Sequence, residues 1–545
     1  MDRDSRYLLG GGAARWLAAI PAVFLTLFFL YPMVRVLWRS LTLDGSLHLG
    51  AFTEIVIKGS LRQAAWFTIW QALVSTLATL VFALPGAYVL ARFRFPGRGL
   101  IRAAITVPFV LPTVVVGTAY LVLLGPNGPL GIDLRQTAWA ILIAHVFFNY
   151  AVVVRVVGSF WELIDPKLED AARVLGATGF QAFRTVTLPL LLPAISAAAS
   201  IVFLFTFTSF GVVLILGGFG YATIEVAVWR EATINLDLAT SAALAVFQLV
   251  VVSLALSAYT RIQHRYARHL PLRPSAEVAR RPSTIGQLLV IGGTLISMAV
   301  YLGIPIITLV ARSLNTSSGI GLTHFLGLFG GETSVVSPSE AIFNSIWFAS
   351  VSALPALVVG MAAALFLTRP SGRVGSGFDT LLMLPLGTSA VTIGFGFLVA
   401  FGWPVDLRTS AWLIPLAHTV VAVPFVIRTV TPVLRSAQPR LMEAAAVLGA
   451  SPRQVFQEIQ LPIVSRAALV GAGFALAVSL GEFGATAFLV RPDRPTIPTA
   501  IFRLLGQPGA TNLGQAMALS VILMIIITLV ILAVDSHRTR GPGEI

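Results

Sequence analysis

The sequence predicts an all-α polytopic membrane protein, with about 12 transmembrane helices in two parallel six-helix repeats. Three observations lead there. Of the 545 residues, 57% are hydrophobic and 11% are charged, a balance foreign to soluble domains. Apolar runs of about 18 residues or more recur along the whole chain. One polar stretch occurs twice, at 165–189 and 438–462, identical at about half its positions and displaced by about half the chain.

A short basic start (Arg3, Arg6, Arg15) precedes a first span at about 16–38, too long and uninterrupted for a cleaved signal peptide. Further spans are expected near 65–91, 104–124, 137–159, 193–215 and 241–260. A polar, Arg-rich stretch at 261–284 reads as a basic cytoplasmic linker between a first repeat, 1–260, and a second, 285–545. The second repeat offers spans near 286–311, 343–368, 379–401, 410–431, 464–490 and 514–535.

The repeat reaches beyond the polar stretch. Ile69-Trp70 answers Ile346-Trp347, His145 answers His418, and Arg155 answers Arg428. Ser209-Phe210-Gly211 answers Glu482-Phe483-Gly484, and Thr223-Ile224 answers Thr496-Ile497. An even number of spans per half gives both halves one orientation, so the repeats are parallel.

Charge sets the sidedness. With the termini, the linker and both polar stretches on one side, that side holds roughly 26 of the 37 Lys and Arg and should be cytoplasmic. Topology among membrane lipids thus accounts for the net charge of +14, and no nucleic-acid partner is expected. The chain has no cysteine, which excludes disulfides and thiol chemistry.

Each polar stretch carries its own punctuation. Asp165 is a good N-cap and Pro166 suits the first helical turn. Leu168, Ala171, Ala172 and Leu175 fall on one helix face, and Gly176 suits the left-handed residue that ends a helix. Pro439, Leu441, Ala444, Ala445, Leu448 and Gly449 repeat the layout, with Gln438 a poorer cap. Ser451-Pro452 then starts a second short helix, as Thr178-Gly179 does less clearly, and Leu188-Pro189 and Leu461-Pro462 close the motif.

This arrangement resembles the cytoplasmic EAA loop of permease subunits of binding-protein-dependent ABC importers of type I. The pattern is matched by Glu443, Ala444, Ala445, Gly449, Ile459, Leu461 and Pro462. It is matched again by Asp170, Ala171, Ala172, Gly176, Val186, Leu188 and Pro189, with Asp in place of Glu. The resemblance implies a multi-pass protein of the bacterial inner membrane, with both termini cytoplasmic, whose two loops couple to a homodimeric ABC ATPase. It also implies an extracytoplasmic solute-binding protein, and the longest external loops, about 39–64 and 312–342, are too short to replace one. The chain has no phosphate loop and only two lysines, Lys58 and Lys167, so ATP and Mg are expected in the partner. No cofactor is expected on this chain, and no enzyme activity.

The fused two-half layout, with AHVFFN, SFGVVLILGG and SLGEFG, looks like the thiamine permease and its relatives for ferric iron. Thiamine or its phosphates is the leading solute and ferric iron the alternative. Glu482 sits in an apolar run where a carboxylate is costly. It either attracts a cation beside the route, with Ser479, Phe483, Ser209 and Phe210, or pairs at the outer end with Arg491 or Arg494. His145 and His418 could ligate iron, but their matching repeat positions favour interhelical hydrogen bonds, and Asn149 shares the face of His145. An ion-coupled secondary transporter is the rival class, although such a carrier has no use for a doubled EAA loop.

Overall fold

The computed structural model describes residues 11–538 apart from 44–45, 48, 219, 267–278, 317–318, 331–336, 369–371, 404–405, 437–443, 446 and 452–453. The first half of the chain supplies α1 (Leu17–Leu41), α2 (Gly59–Arg92), the pair α3 (Arg98–Val110) and α4 (Thr113–Leu123), and α5 (Ala138–Trp161). It continues with α6 (Lys167–Val174), α7 (Gly179–Phe207), α8 (Ile224–Thr233) and α9 (Leu238–Tyr266). The second half supplies α10 (Ile285–Leu314), α11 (Pro338–Leu367), α12 (Gly372–Gly387), α13 (Ala390–Ala400) and α14 (Leu413–Ser436). α15 (Leu461–Gly481), α16 (Ile497–Leu505) and α17 (Ala510–Arg538) complete it.

Among the described residues, 10 helices are long and apolar enough to cross a membrane, or up to 12 if each bent pair is one span. Four of the expected spans are bent or broken. The stretch at 104–124 turns through 95° between α3 and α4, and that at 379–401 through 96° between α12 and α13. Leu111 is forced into an extended conformation by the ring of Pro112. Ser389 is extended as well, and its Oγ caps α13 by accepting the N–H of Thr392 at 3.0 Å. The stretches at 193–215 and 464–490 break after Phe207 and Gly481, and the chain resumes in the short helices Gly211–Leu216 and Thr486–Leu489.

The described chain falls into two compact units. One holds Val228–Val246, Leu322–Ile545 and the N-terminal residues to Phe52; the other holds Thr53–Ala227 and Phe247–Gly321. The first helix of each sequence half therefore packs with helices of the other half. α1 lies against α11 and α13, where Tyr31 Oη donates to Ala400 O at 3.3 Å and the rings of Phe28 and Phe397 stack. α10 lies against α2 and α4, and Tyr301 Oη donates to Ile143 O of α5 at 2.7 Å.

Three widened π-turns, Thr26–Leu30, Phe183–Thr187 and Val455–Gln460, share one cause. Each runs directly into a residue followed by proline: Tyr31-Pro32, Leu188-Pro189 and Leu461-Pro462. Proline brings no N–H and its ring crowds the carbonyl one turn back, so the extra residue relieves the clash.

Close approach of backbones needs glycine at Gly394, where an added Cβ would lie 2.5 Å from Ala485 Cα and 2.7 Å from its carbonyl oxygen. Gly394→Ala should lower the thermal midpoint in detergent by an overpacking cost of about 1–3 kcal/mol. Gly292→Ala, where a Cβ meets nothing within 4 Å, should not.

Candidate functional site

The first polar stretch folds as two short helices joined by a tight turn. Asp165 Oδ1 accepts the N–H of Lys167 at 3.0 Å, which caps α6. At its other end Gly176 takes φ +92°, while Ala177 N–H returns to Ala172 O at 3.0 Å. Thr178 and Gln181 form a complete capping box, with Thr178 N–H donating to Gln181 Oε1 at 2.8 Å and Gln181 N–H to Thr178 Oγ1 at 3.3 Å. The start expected to be weaker is therefore fully capped, and T-x-x-Q was its legible signal.

The second stretch has the same geometry where it is described. Leu448 N–H donates to Ala444 O and Ala450 N–H to Ala445 O, both at 3.0 Å, and Gly449 takes φ +87°. Ser451 and Gln454 repeat the capping box, with Ser451 N–H donating to Gln454 Oε1 at 2.8 Å. Gln438, Pro439, Leu441, Glu443 and Pro452 lie outside the described residues. Leu188 and Leu461 begin the α-helical turns after the π-turns, with Pro189 and Pro462 next in line.

The two turns present apolar side chains to the outside. Leu175 is 88% exposed and Val174 87%; in the second copy Val447 and Leu448 are both 87% exposed. Phe180 and Leu168 are exposed as well, as are Ala171 and Ala444. Such side chains on tightly capped turns suit a groove on another protein.

Beneath the first loop lies an ion pair that the sequence reading did not single out. Arg92, buried at the end of α2, donates to Ile164 O at 2.9 Å and to Glu169 Oε1 at 3.0 Å. Glu169 also accepts from Thr187 Oγ1 at 2.6 Å, tying α6 to the base of α7. Asp170, its neighbour, points elsewhere and pairs with Arg280 at 2.7 Å. The guanidinium of Arg280 holds the Asp170 carboxyl below its ordinary range.

Within the spans, each half builds a polar joint around its histidine. His145 Nδ1 meets Ser75 Oγ at 3.1 Å and its Nε2 meets Ser209 Oγ at 2.8 Å, linking α2, α5 and the end of α7. His418 Nδ1 meets Ser479 Oγ at 2.7 Å, and its Nε2 meets Thr486 Oγ1 at 2.8 Å and Glu482 Oε2 at 3.2 Å. Ser352 Oγ of α11 donates to Ser479 Oγ at 2.8 Å. Both histidines make hydrogen bonds between helices. Asn149 Nδ2 donates to the backbone oxygen of His145, one turn earlier.

Glu482 is buried, and it closes the break in its span. Its carboxylate accepts the N–H groups of Ala485 and Thr486 at 2.9 and 3.0 Å and the hydroxyl of Thr486 at 2.7 Å, capping the next short helix. Pairing with Arg491 or Arg494 is not what is built; Arg494 sits 3.6 Å from Asp493. Ser209, Phe210, Ser479 and Phe483 are buried too, with Phe483 against Phe502 at 5.7 Å. Ser479 and Glu482 meet at His418, and Ser209 meets His145. Two further buried carboxylates stand on α8. Glu225 accepts from Gln248 Nε2, and Glu231 accepts from Asn235 Nδ2 at 2.9 Å. A-T-I-E-V-A-V-W-R-E, acids recurring in an apolar run, was the signal for both.

At the opposite end of α5 and α14 from the two capped loops, a three-residue clip also occurs twice. Arg135 Nε and a terminal nitrogen bind Asp133 Oδ1 and Oδ2, both at 2.9 Å, and Arg408 binds Asp406 the same way at 2.9 and 2.8 Å. Hydrogen bonding to Arg408 lowers the Asp406 carboxyl to about 2. The folded value lies below the unfolded one, so this stabilisation is complete above the unfolded pKa of about 3.9 and vanishes as pH falls through the folded one. A carboxyl NMR titration should place the Asp406 midpoint near 2, and Arg408→Gln should move it up toward the ordinary carboxylate range.

The family described as "Binding-protein-dependent transport system inner membrane component" matches residues 83–268 and again 356–540. The chain is 25% identical over 515 residues to a probable ABC transporter permease protein, y4fN, of Sinorhizobium fredii, covering 89% of this chain and 90% of that one. It is 29% identical over 503 residues to the thiamine transport system permease protein ThiP of Brucella abortus, covering 87% of each. A shorter stretch of 174 residues is 36% identical to the sulfate transport system permease protein CysT of Salmonella typhimurium, 31% of this chain and 63% of that one. With two matches that together span most of its length, the chain belongs to the family of binding-protein-dependent transport system inner membrane components and carries that unit twice.

Proposed function

We propose that this chain is the transmembrane permease subunit of an ATP-driven ABC importer whose solute is thiamine or one of its phosphates. The observation that carries the transport reading is the pair of loops with matching capped turns, each presenting bare leucine and valine for a partner to cover. An extracytoplasmic binding protein delivers the solute, and a homodimeric ATPase on the cytoplasmic side binds ATP and Mg. The coupling loops, both termini and the basic linker face that ATPase. Binding free energy for nucleotide then shifts the permease between inward- and outward-facing states.

For the solute, the ThiP likeness is joined by charge. Among the described residues three glutamates, Glu225, Glu231 and Glu482, are buried. Buried negative groups favour a cation such as the thiazolium of thiamine over an anion such as sulfate. The permease should be reconstituted with its ATPase and binding protein and offered thiamine, ferric iron and sulfate in turn. Thiamine alone is expected to stimulate ATP hydrolysis. Stimulation by iron or sulfate alone would replace the solute, and uptake driven by an ion gradient without the ATPase would replace the class.

A further inference from the structure

We propose that Arg280, in the segment joining the two repeats, is a positioning residue for the first coupling loop and connects it to α10, apart from the Glu169 contacts that tie it to α2 and α7. This inference rests on the reading of α6 as the element that meets the ATPase. The backbone of Arg280 is held from both sides. Its N–H donates to Arg92 O and its carbonyl accepts from Arg94 N–H, both at 2.9 Å, in a parallel bridge to Phe93 at the end of α2. Ala279 beside it is buried. From this fixed base the guanidinium reaches Asp170 Oδ2 at 2.7 Å, in the first turn of α6.

The segment is anchored again within a few residues. Thr284 Oγ1 caps α10 by accepting Gln287 N–H at 3.3 Å, and Gln287 Oε1 accepts Ser283 N–H at 2.8 Å. Ile291 of α10 then packs with Val89 and Phe93 of the α2 end. A displacement of α6 is therefore transmitted along the chain into α7 and, through Glu169, to Arg92 of α2 and Thr187 of α7. A separate line runs from Asp170 through Arg280 to the start of α10.

Both partners are about half exposed, at 58% and 45%, so the ion pair is weak and its job is direction more than strength. The test uses the full transporter, permease with ATPase and binding protein, in lipid nanodiscs. The readouts are solute moved per ATP and the ratio of solute-stimulated to basal hydrolysis. Arg280→Gln and Arg280→Asp are expected to lower both about two- to fivefold, the range of an exposed ion pair. Arg280→Asp combined with Asp170→Arg is expected to restore most of the loss, which a merely structural effect of either change would not do. Arg94→Gln, whose backbone but not side chain joins the bridge, should couple as wild type. Unchanged coupling in both Arg280 variants, or no rescue by the exchanged pair, would overturn the clip while leaving the importer standing. A wild-type complex that answers no solute at all would overturn the importer reading and the clip with it.

Discussion

Leu175→Asp combined with Leu448→Asp will detach the permease from its ATPase. Both side chains stand almost wholly in solvent at the tips of their loops, and neither contributes to the permease's own core. Covering a leucine is worth about 1.5–3 kcal/mol, so losing two removes about 3–6 kcal/mol of association free energy. At about 1.4 kcal/mol per tenfold, affinity should fall by a factor of about a hundred or more. Co-purification with the ATPase and solute-stimulated hydrolysis should both be lost, while the thermal midpoint of the permease alone stays where it was. Retained stimulation in the double variant would show that the loops do not dock through these tips. Gly449→Asp should act in the same direction for another reason, because φ +87° is costly for any residue with a side chain.

The two histidine joints will respond unequally to the same substitution. His145→Leu removes contacts to two serine hydroxyls, neither of them charged. Hydrogen bonds of this kind between membrane helices average about 0.6 kcal/mol, so about 1 kcal/mol is expected. His418→Leu removes contacts to Ser479 and Thr486 and also strips Glu482 of the ring beside it. A hydrogen bond to a charged group typically contributes about 1.5–3 kcal/mol, more than one between neutral groups. Thermal unfolding in detergent should show the larger drop for His418→Leu, and His418→Leu with Glu482→Gln should recover part of it. Equal losses at the two sites would mean that the Glu482 carboxylate is not held by His418.

Much of this architecture was legible in the sequence because it is written in composition and in repetition. The spans follow from hydropathy, and the coupling loops from cap residues at fixed spacing, so Gly176 and Gly449 adopt the left-handed conformation their positions demanded. Hydropathy has no information on direction, however. It reads α3–α4 as one run although the backbone turns through 95°, and only Pro112 hinted at the corner. It also reads straight through Glu482, because one carboxylate barely lowers a window average, yet that carboxylate is what ends one helix and caps the next. Arg92, Glu169 and Arg280 escaped for the opposite reason. They lie among many arginines and acids, and only tertiary contact shows which charges meet.

The exchange of first helices has a consequence for how the protein is made. α1 is synthesised before the helices it packs against, α11 and α13, which belong to a segment that begins only at Leu322. Until then its packed face lacks these partners. The unit containing Thr53–Ala227 is likewise incomplete until α10 is synthesised. Biogenesis is thus gated late, by contacts of very long sequence separation, which are the slow kind to form. A ribosome stalled after the first repeat should release a protease-sensitive chain, and co-expression of the second repeat as a separate polypeptide should protect it.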